Sequence, residues 1–419
     1  MLPVADLRRQ FPALHIERDG SRPIFLDGPA GTQVPQRVLD AIVHYLTHTN
    51  ANHGGVFATS IESDRILAAA HAAVTDLLNA PSPDEVIFGQ NMTSLTLHLS
   101  RSIGRMLRPD DEVMVSRLDH DANVWPWVLA ARDAGATVRW IDIHPEDASL
   151  DIVSFRRQLS KRTKLVAVGI ASNGLGTINP VATITREAKA AGAWVFLDAV
   201  HFVAHGPIDV QELGCDFLAC SAYKFFGPHV GILWGRRELL ETIPAYKIRP
   251  APDSLPGKWM TGTQNHEGLA GVAAAVDYLS SVGACANQPA TPARALAPRR
   301  AQLLAAMTAI QNYERTLSER LLLGLAIRPR FTVWGVRDVN QLHRRVPTVA
   351  ITDSQLSPQQ LAEFLAARQI YAWNGNMYAL EVSERLGLEA RGGFVRLGLV
   401  HYNTFDEIDR LLKVLDELP

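Results

Sequence analysis

Between residues 60 and 235 two hydrophobic patterns alternate along the chain. Where apolar residues recur every three or four positions, the spacing predicts helices near 60–79, 93–107, 122–134, 151–160 and 181–191. Between them, short apolar runs predict strands at 85–89, 112–116, 137–142, 164–170, 193–197, 216–220 and 231–235. Runs such as Leu165-Val166-Ala167-Val168 and Trp194-Val195-Phe196-Leu197 are apolar at every position, not every second one. Such strands are buried on both faces, as in a mostly parallel sheet covered by helices. The expected fold class is therefore α/β with a seven-stranded sheet, closed by a long helix near 266–282.

The flanking segments read differently. Up to about residue 19 the pattern suggests a short helix and an extended arm. A short strand and a Gly/Pro turn follow at 25–31, then a helix at 35–46 and the polar stretch Asn50-Ala51-Asn52-His53-Gly54-Gly55. Residues 286–298 are rich in Pro and Ala, without periodicity, and read as a linker or loop. Beyond them we expect helices at 298–325, 357–368 and 404–417 and strands at 330–334, 347–352 and 393–400. This gives a large domain over 25–285 and a smaller α+β domain over 299–419, joined by the arm 1–24.

Composition narrows the field. Charged residues make up 20% and hydrophobic ones 47% of 419 residues, which suits a compact enzyme. A net charge of -2 gives no electrostatic reason to expect nucleic acid or an anionic membrane as a partner. No apolar run reads as long enough to span a bilayer, and the N-terminus lacks a basic region followed by an apolar core. The three cysteines, Cys215, Cys220 and Cys285, lack metal-ligand spacing, so reduced thiols in a cytoplasmic protein are expected. His44, His48 and His53 suggest a metal, but no carboxylate or cysteine follows at ligand spacing, and no metal is expected.

The chemistry gathers at the strand ends. In an open parallel sheet, ligands sit beyond the carboxyl ends of the strands. There the sequence places Thr93, His120, Asn173, Asp198, His201, Ser221, Tyr223 and Lys224. A lysine against an apolar strand is costly unless its charge is paired or removed, and an imine removes it. Lys224 is thus a candidate for covalent binding of pyridoxal 5'-phosphate, the rival being a surface lysine on a turn. The start of the helix near Thr93, with Ser221 and Tyr223, could bind the phosphate. Asp198 could hold a proton on the pyridine nitrogen, though a helix N-cap is the rival. His120 could stack on the ring, or simply be bonded within its loop. Lys224, once freed by substrate, would be the base at Cα, with His120 beside it.

Together these residues resemble the class V aminotransferase family of fold-type I pyridoxal-phosphate enzymes, near its cysteine desulfurase and selenocysteine lyase branch. The carrying motifs are Asn52-His53-Gly54-Gly55, Asp119-His120-Asp121-Ala122-Asn123, Ser172-Asn173-Gly174-Leu175-Gly176-Thr177, Asp198-Ala199-Val200-His201, Ser221-Ala222-Tyr223-Lys224, Gly262-Thr263-Gln264-Asn265 and Val395-Arg396-Leu397-Gly398. The resemblance implies that His201 replaces a ring-oxygen glutamine. It also implies that Asn173 and Arg396 meet the substrate carboxylate and that His53 lies near the substrate. Arg396 in a strand salt bridge is the alternative from the residues alone. Thr263 would reach the phosphate of a neighbouring subunit in a homodimer. Persulfide-forming relatives carry a cysteine before the final strand. Here the counterpart is Trp373-Asn374-Gly375-Asn376-Met377-Tyr378-Ala379, with Tyr378 at that position and no cysteine after Cys285. The expectation is Cα chemistry on an amino acid, foremost β-elimination. Transamination, epimerisation and a catalytically silent binding module are the alternatives.

Overall fold

The computed structural model describes residues 2–18, 20–285 and 298–419. Its large sheet has seven strands: β1 (Val86–Gly89), β2 (Glu112–Ser116), β3 (Thr137–Ile141), β4 (Thr163–Gly169), β5 (Trp194–Asp198), β6 (Phe217–Ser221) and β7 (Gly231–Gly235). Their spatial order is β1-β7-β6-β5-β4-β2-β3. All neighbours are parallel except that β7 runs antiparallel to both β1 and β6. Side chains on successive residues go to opposite faces, and both faces are covered. Val166, Val168, Val195 and Leu197 join one core, while Leu165, Ala167 and Phe196 join the other. That is why these strands are apolar at every position.

A second, antiparallel sheet holds β8 (Phe331–Trp334), β9 (Thr348–Asp353), β10 (Trp373–Gly375) and β11 (Phe394–Gly398) in the order β8-β9-β11-β10. Helices Pro298–Ala326, Pro358–Ala366 and Phe405–Leu415 pack on it through a third core that includes Leu321, Leu361 and Ile408. The last helix starts at a capping box, with Thr404 Oγ1 accepting from the Glu407 N–H. Ile24–Phe25 pairs in parallel with Ile370–Tyr371, so the N-terminal segment runs beside this sheet and then turns toward the ends of the large one.

Several expectations need correction. The helix expected from 122 starts at Trp125, because Asp121–Asn123 is a 3-10 turn ahead of Pro126. The helix expected to reach residue 46 ends at His44 and continues as a π-helical turn, Tyr45–Thr49. The strands Ile370–Tyr371 and Trp373–Gly375 and the helix Leu380–Arg385 were not expected; elements this short carry no periodic signal. His266–Cys285 is long and apolar enough to cross a membrane, contrary to the reading above. It is instead mostly buried, packed against Gln36–His44, Ala58–Leu78 and Pro298–Ala326. The linker read at 286–298 falls, but for Pro298, outside the described residues.

Candidate active site

The carboxyl ends of the large sheet open into a cavity. Beyond β1, Asn91 caps the helix Met92–Gly104, its Oδ1 accepting from the Ser94 N–H at 2.9 Å. Ser221, the last residue of β6, accepts the Met92 N–H at 3.1 Å and keeps its hydroxyl proton free to donate. Gly231 on β7 allows this approach, since a Cβ there would lie 2.3 Å from the Asn91 carbonyl carbon. The positive end of a thirteen-residue helix therefore faces the cavity, flanked by the Thr93 and Ser221 hydroxyls. His120, Asn173, Asp198, His201, Tyr223 and Lys224 also line it, so eight residues singled out from sequence share one cavity.

Burial sets the charge states. Lys224 sits at the cavity floor and donates from Nζ to the Pro29 carbonyl oxygen. Burial and then the Arg396 charge hold its pKa at about 7, with Asp198 acting the other way. Asp198 accepts the Val200 N–H at 2.8 Å, yet burial raises its pKa to about 6. Asp119, beneath it, is raised to about 7 by burial and by the charge of Asp198. His120 Nδ1 accepts the Ala122 N–H at 3.0 Å, which leaves the ring proton on Nε2. Burial, then Lys224 and Arg396, lower its pKa to about 4, so the imidazole is neutral. His201 is buried and pushed well below the usual histidine range by burial first; its Nε2 hydrogen-bonds Thr348 Oγ1 at 3.0 Å.

A second wall closes the cavity from the smaller sheet. Arg396 on β11 donates from Nη1 to the Asn173 carbonyl oxygen at 2.9 Å, and burial lowers its pKa to about 10. Its Nε and Asn173 Oδ1 are buried with no partner among the described residues. The salt-bridged strand arginine is thus not what the structure contains. Gly398, without a side chain, lets Pro29 lie against β11, because a Cβ there would fall 1.9 Å from Pro29 Cδ. That contact delivers the carbonyl that Lys224 meets. Asp27, raised to about 6 by burial, lies behind this wall within electrostatic reach of Arg396 and was missed from sequence; its one signal was a polar residue entering a Gly-Pro turn. Tyr378 stacks on His120 with ring centroids 5.5 Å apart and planes at 23°.

Two expected residues lie elsewhere. His53 is exposed on its loop, 3.5 Å from Asp64, because Ser60, Ser63 and Tyr45 pin the loop backbone away from the strand ends. Thr263 lines a separate cavity with His98 and His229. Cys215 and Cys220 are fully buried in strand-side packing, where burial pushes both thiols up, Cys215 to about 12. Cys285 is exposed at a helix end. The His44 and His48 rings stack at 4.6 Å, and no metal-binding group of three or more His, Cys, Asp or Glu is present among the described residues.

The sequence model for aminotransferase class V matches residues 24–305 and 299–411. The chain belongs to the class V aminotransferase family. Within it, the chain is 31% identical to a cysteine desulfurase of Pectobacterium atrosepticum, over 99% of this chain and 98% of that one. It is 30% identical to a probable cysteine desulfurase of Streptomyces coelicolor, covering 100% and 97%. Two solved cysteine desulfurases share the fold. The apo structure from Thermococcus onnurineus NA1 has a TM-score of 0.87 at 25% identity, and the Escherichia coli protein has 0.83 at 26%. Each comparison covers 100% of this chain and 98% of the other. This places the chain in the cysteine desulfurase-like branch of a family of pyridoxal-phosphate enzymes.

The class V site fits that cofactor on its own geometry. A helix N-terminus with free hydroxyls suits a phosphate dianion. Asp198 is a buried carboxylate whose charge is disfavoured until a cation faces it, which a protonated pyridine would supply. Lys224 is held near neutrality, as a nucleophilic amine must be.

Proposed function

We propose that this protein catalyses β-elimination from an amino acid, with pyridoxal phosphate held covalently by Lys224. The observation that carries this reading is the placement of Lys224. It is a buried amine with a pKa of about 7, facing the same cavity as Asn173 and next to Arg396, with no cysteine lining that cavity. Bound there, the cofactor supplies an electron sink for a carbanion at the substrate Cα. Thr93, Ser221 and Tyr223 would hold its phosphate, Asp198 its ring nitrogen and His201 its ring oxygen. The neutral His120 would lie over its ring. Arg396, through its free Nε, and Asn173 would orient the substrate carboxylate. Lys224 then takes the Cα proton, and the group on Cβ departs with its bonding electrons.

We also read the protein as a homodimer in which Thr263 and His53 serve the partner's site. Leu39, Val43 and Leu46 along one helical face, with Val56, Phe57 and Ile61 nearby in sequence, are exposed apolar side chains that support such a contact.

Product analysis over a panel of amino acids tests the reaction. Elimination releases a keto acid and ammonia together. Formation of the cofactor's amine form without ammonia would mean transamination. Loss of optical activity without either product would mean epimerisation. Bound cofactor whose absorption no amino acid perturbs would mean a silent module.

A further inference from the structure

The elimination reading leaves open what Cβ carries, and the second wall bears on that. Between Lys224 and Arg396 on one side and residues 373–378 on the other lies a space open to solvent. A substrate whose carboxylate meets Arg396 and whose Cα meets Lys224 has its side chain toward Trp373-Asn374-Gly375-Asn376-Met377-Tyr378 or outward past it. That segment has no charged residue, no histidine and no cysteine. With Arg396 engaged by the substrate carboxylate, that segment offers a second anionic group no cation of its own.

The segment is also preformed. Trp373 pairs opposite Arg396 across β10 and β11. Asn173 Nδ2 donates to the Met377 carbonyl oxygen at 2.8 Å, and the Asp121 N–H donates to that of Tyr378 at 2.7 Å. The Tyr378 N–H is received by Asn376 Oδ1 at 3.0 Å. Met377 and Tyr378 both adopt left-handed backbone, φ 57° and 56°, which non-glycine residues take up only when their surroundings hold them. The outcome is a phenol ring stacked near-parallel on His120, 75% exposed, with Trp125, Pro126 and Leu97 lining the open space beyond it alongside Asp121 and His229.

We infer that the substrate is an α-amino acid with an uncharged, bulky apolar group on sulfur, an S-alkyl or S-aryl cysteine, and that Tyr378 sets this preference. The inference rests on the elimination reading. The step balances without an oxidant or reductant. The Cα proton passes to Lys224, the Cβ–S bond breaks with its electron pair leaving on sulfur, and the sulfur gains a proton. Water then resolves the three-carbon remainder into pyruvate and ammonia.

The test uses the cofactor-loaded full chain with cysteine, S-methylcysteine, S-benzylcysteine and cysteine sulfinate. Two readouts are taken: ligand Kd from the cofactor absorption change, and kcat/KM from pyruvate release. S-Benzylcysteine should exceed cysteine by roughly tenfold or more, the scale of burying part of an apolar group against Tyr378, with the sulfinate last. Tyr378→Ala should collapse the benzyl-to-cysteine ratio, chiefly through Kd and KM, and Tyr378→Phe should preserve it. An unchanged cofactor spectrum and melting temperature would show that the variants fold. Cysteine or the sulfinate leading in the native protein, or a ratio unmoved by Tyr378→Ala, would overturn the assignment and leave elimination standing. Pyruvate and ammonia from none of the four would overturn both.

Discussion

The two walls of the cavity are built differently. The strand-end wall, carrying Thr93, His120, Asp198, Ser221 and Lys224, hangs from buried parallel strands whose positions the core fixes. The opposite wall, with Pro29, Tyr378 and Arg396, is assembled from an N-terminal turn, a short loop and one strand of the smaller sheet. The first offers what any amino-acid reaction of this cofactor needs: an amine, a buried acid and a helix N-terminus. The second is the wall that, on the function proposed above, would meet the substrate, and its 373–378 segment contains no cysteine. On that reading, cofactor binding and substrate contact fall to separable parts of the fold.

Substitutions on the two walls should separate these roles. The largest effect belongs to Lys224→Ala, which should abolish borohydride-fixed cofactor and lower turnover by roughly a thousandfold or more. In the native apo protein, the rate of cofactor uptake should climb with pH as the amine loses its proton and level off just above pH 7, where burial places its pKa. A lysine at its ordinary value would keep gaining until about pH 10. Stopped-flow absorbance over pH 5.5–10 separates the two. Next comes Asp198→Asn, which removes the buried partner of a ring cation. It should cut turnover by roughly a hundredfold to a thousandfold while the cofactor can still be fixed to Lys224. Retention of full activity would remove Asp198 from the site. The smallest is Arg396→Lys on the substrate wall. It should raise KM by roughly ten- to a hundredfold with less change in kcat, since a point charge replaces a planar fork. A fall in kcat alone would place Arg396 outside substrate binding.

The same contrast explains what could be read from the residues. Fully apolar runs such as Val195-Phe196-Leu197 announced the sheet, and the sheet announced its carboxyl edge, so the residues alone place Asp198 and Lys224 at the cavity where the structure has them. Asp27 and the Pro29 carbonyl were not. Both belong to a turn more than 190 residues from Lys224 along the chain, and the Pro29 carbonyl reaches it only because Gly398 accepts Pro29. Trp373–Gly375 spans too few residues to carry a periodicity, and the left-handed pair Met377-Tyr378 has no glycine to signal it. His53 and Thr263 show the converse. Their motifs were recognisable, but a single chain does not bring them to its own site.

The most direct measurement is the fate of cysteine carbon on the cofactor-loaded protein. Transfer of the sulfur to a protein thiol would leave alanine; elimination leaves pyruvate and ammonia. With Cys215 and Cys220 sealed in the core and Cys285 absent from the lining of the site, the predicted result is pyruvate and ammonia in equal amounts with no alanine. Alanine as the main product, with sulfur retained on the protein, would contradict the account.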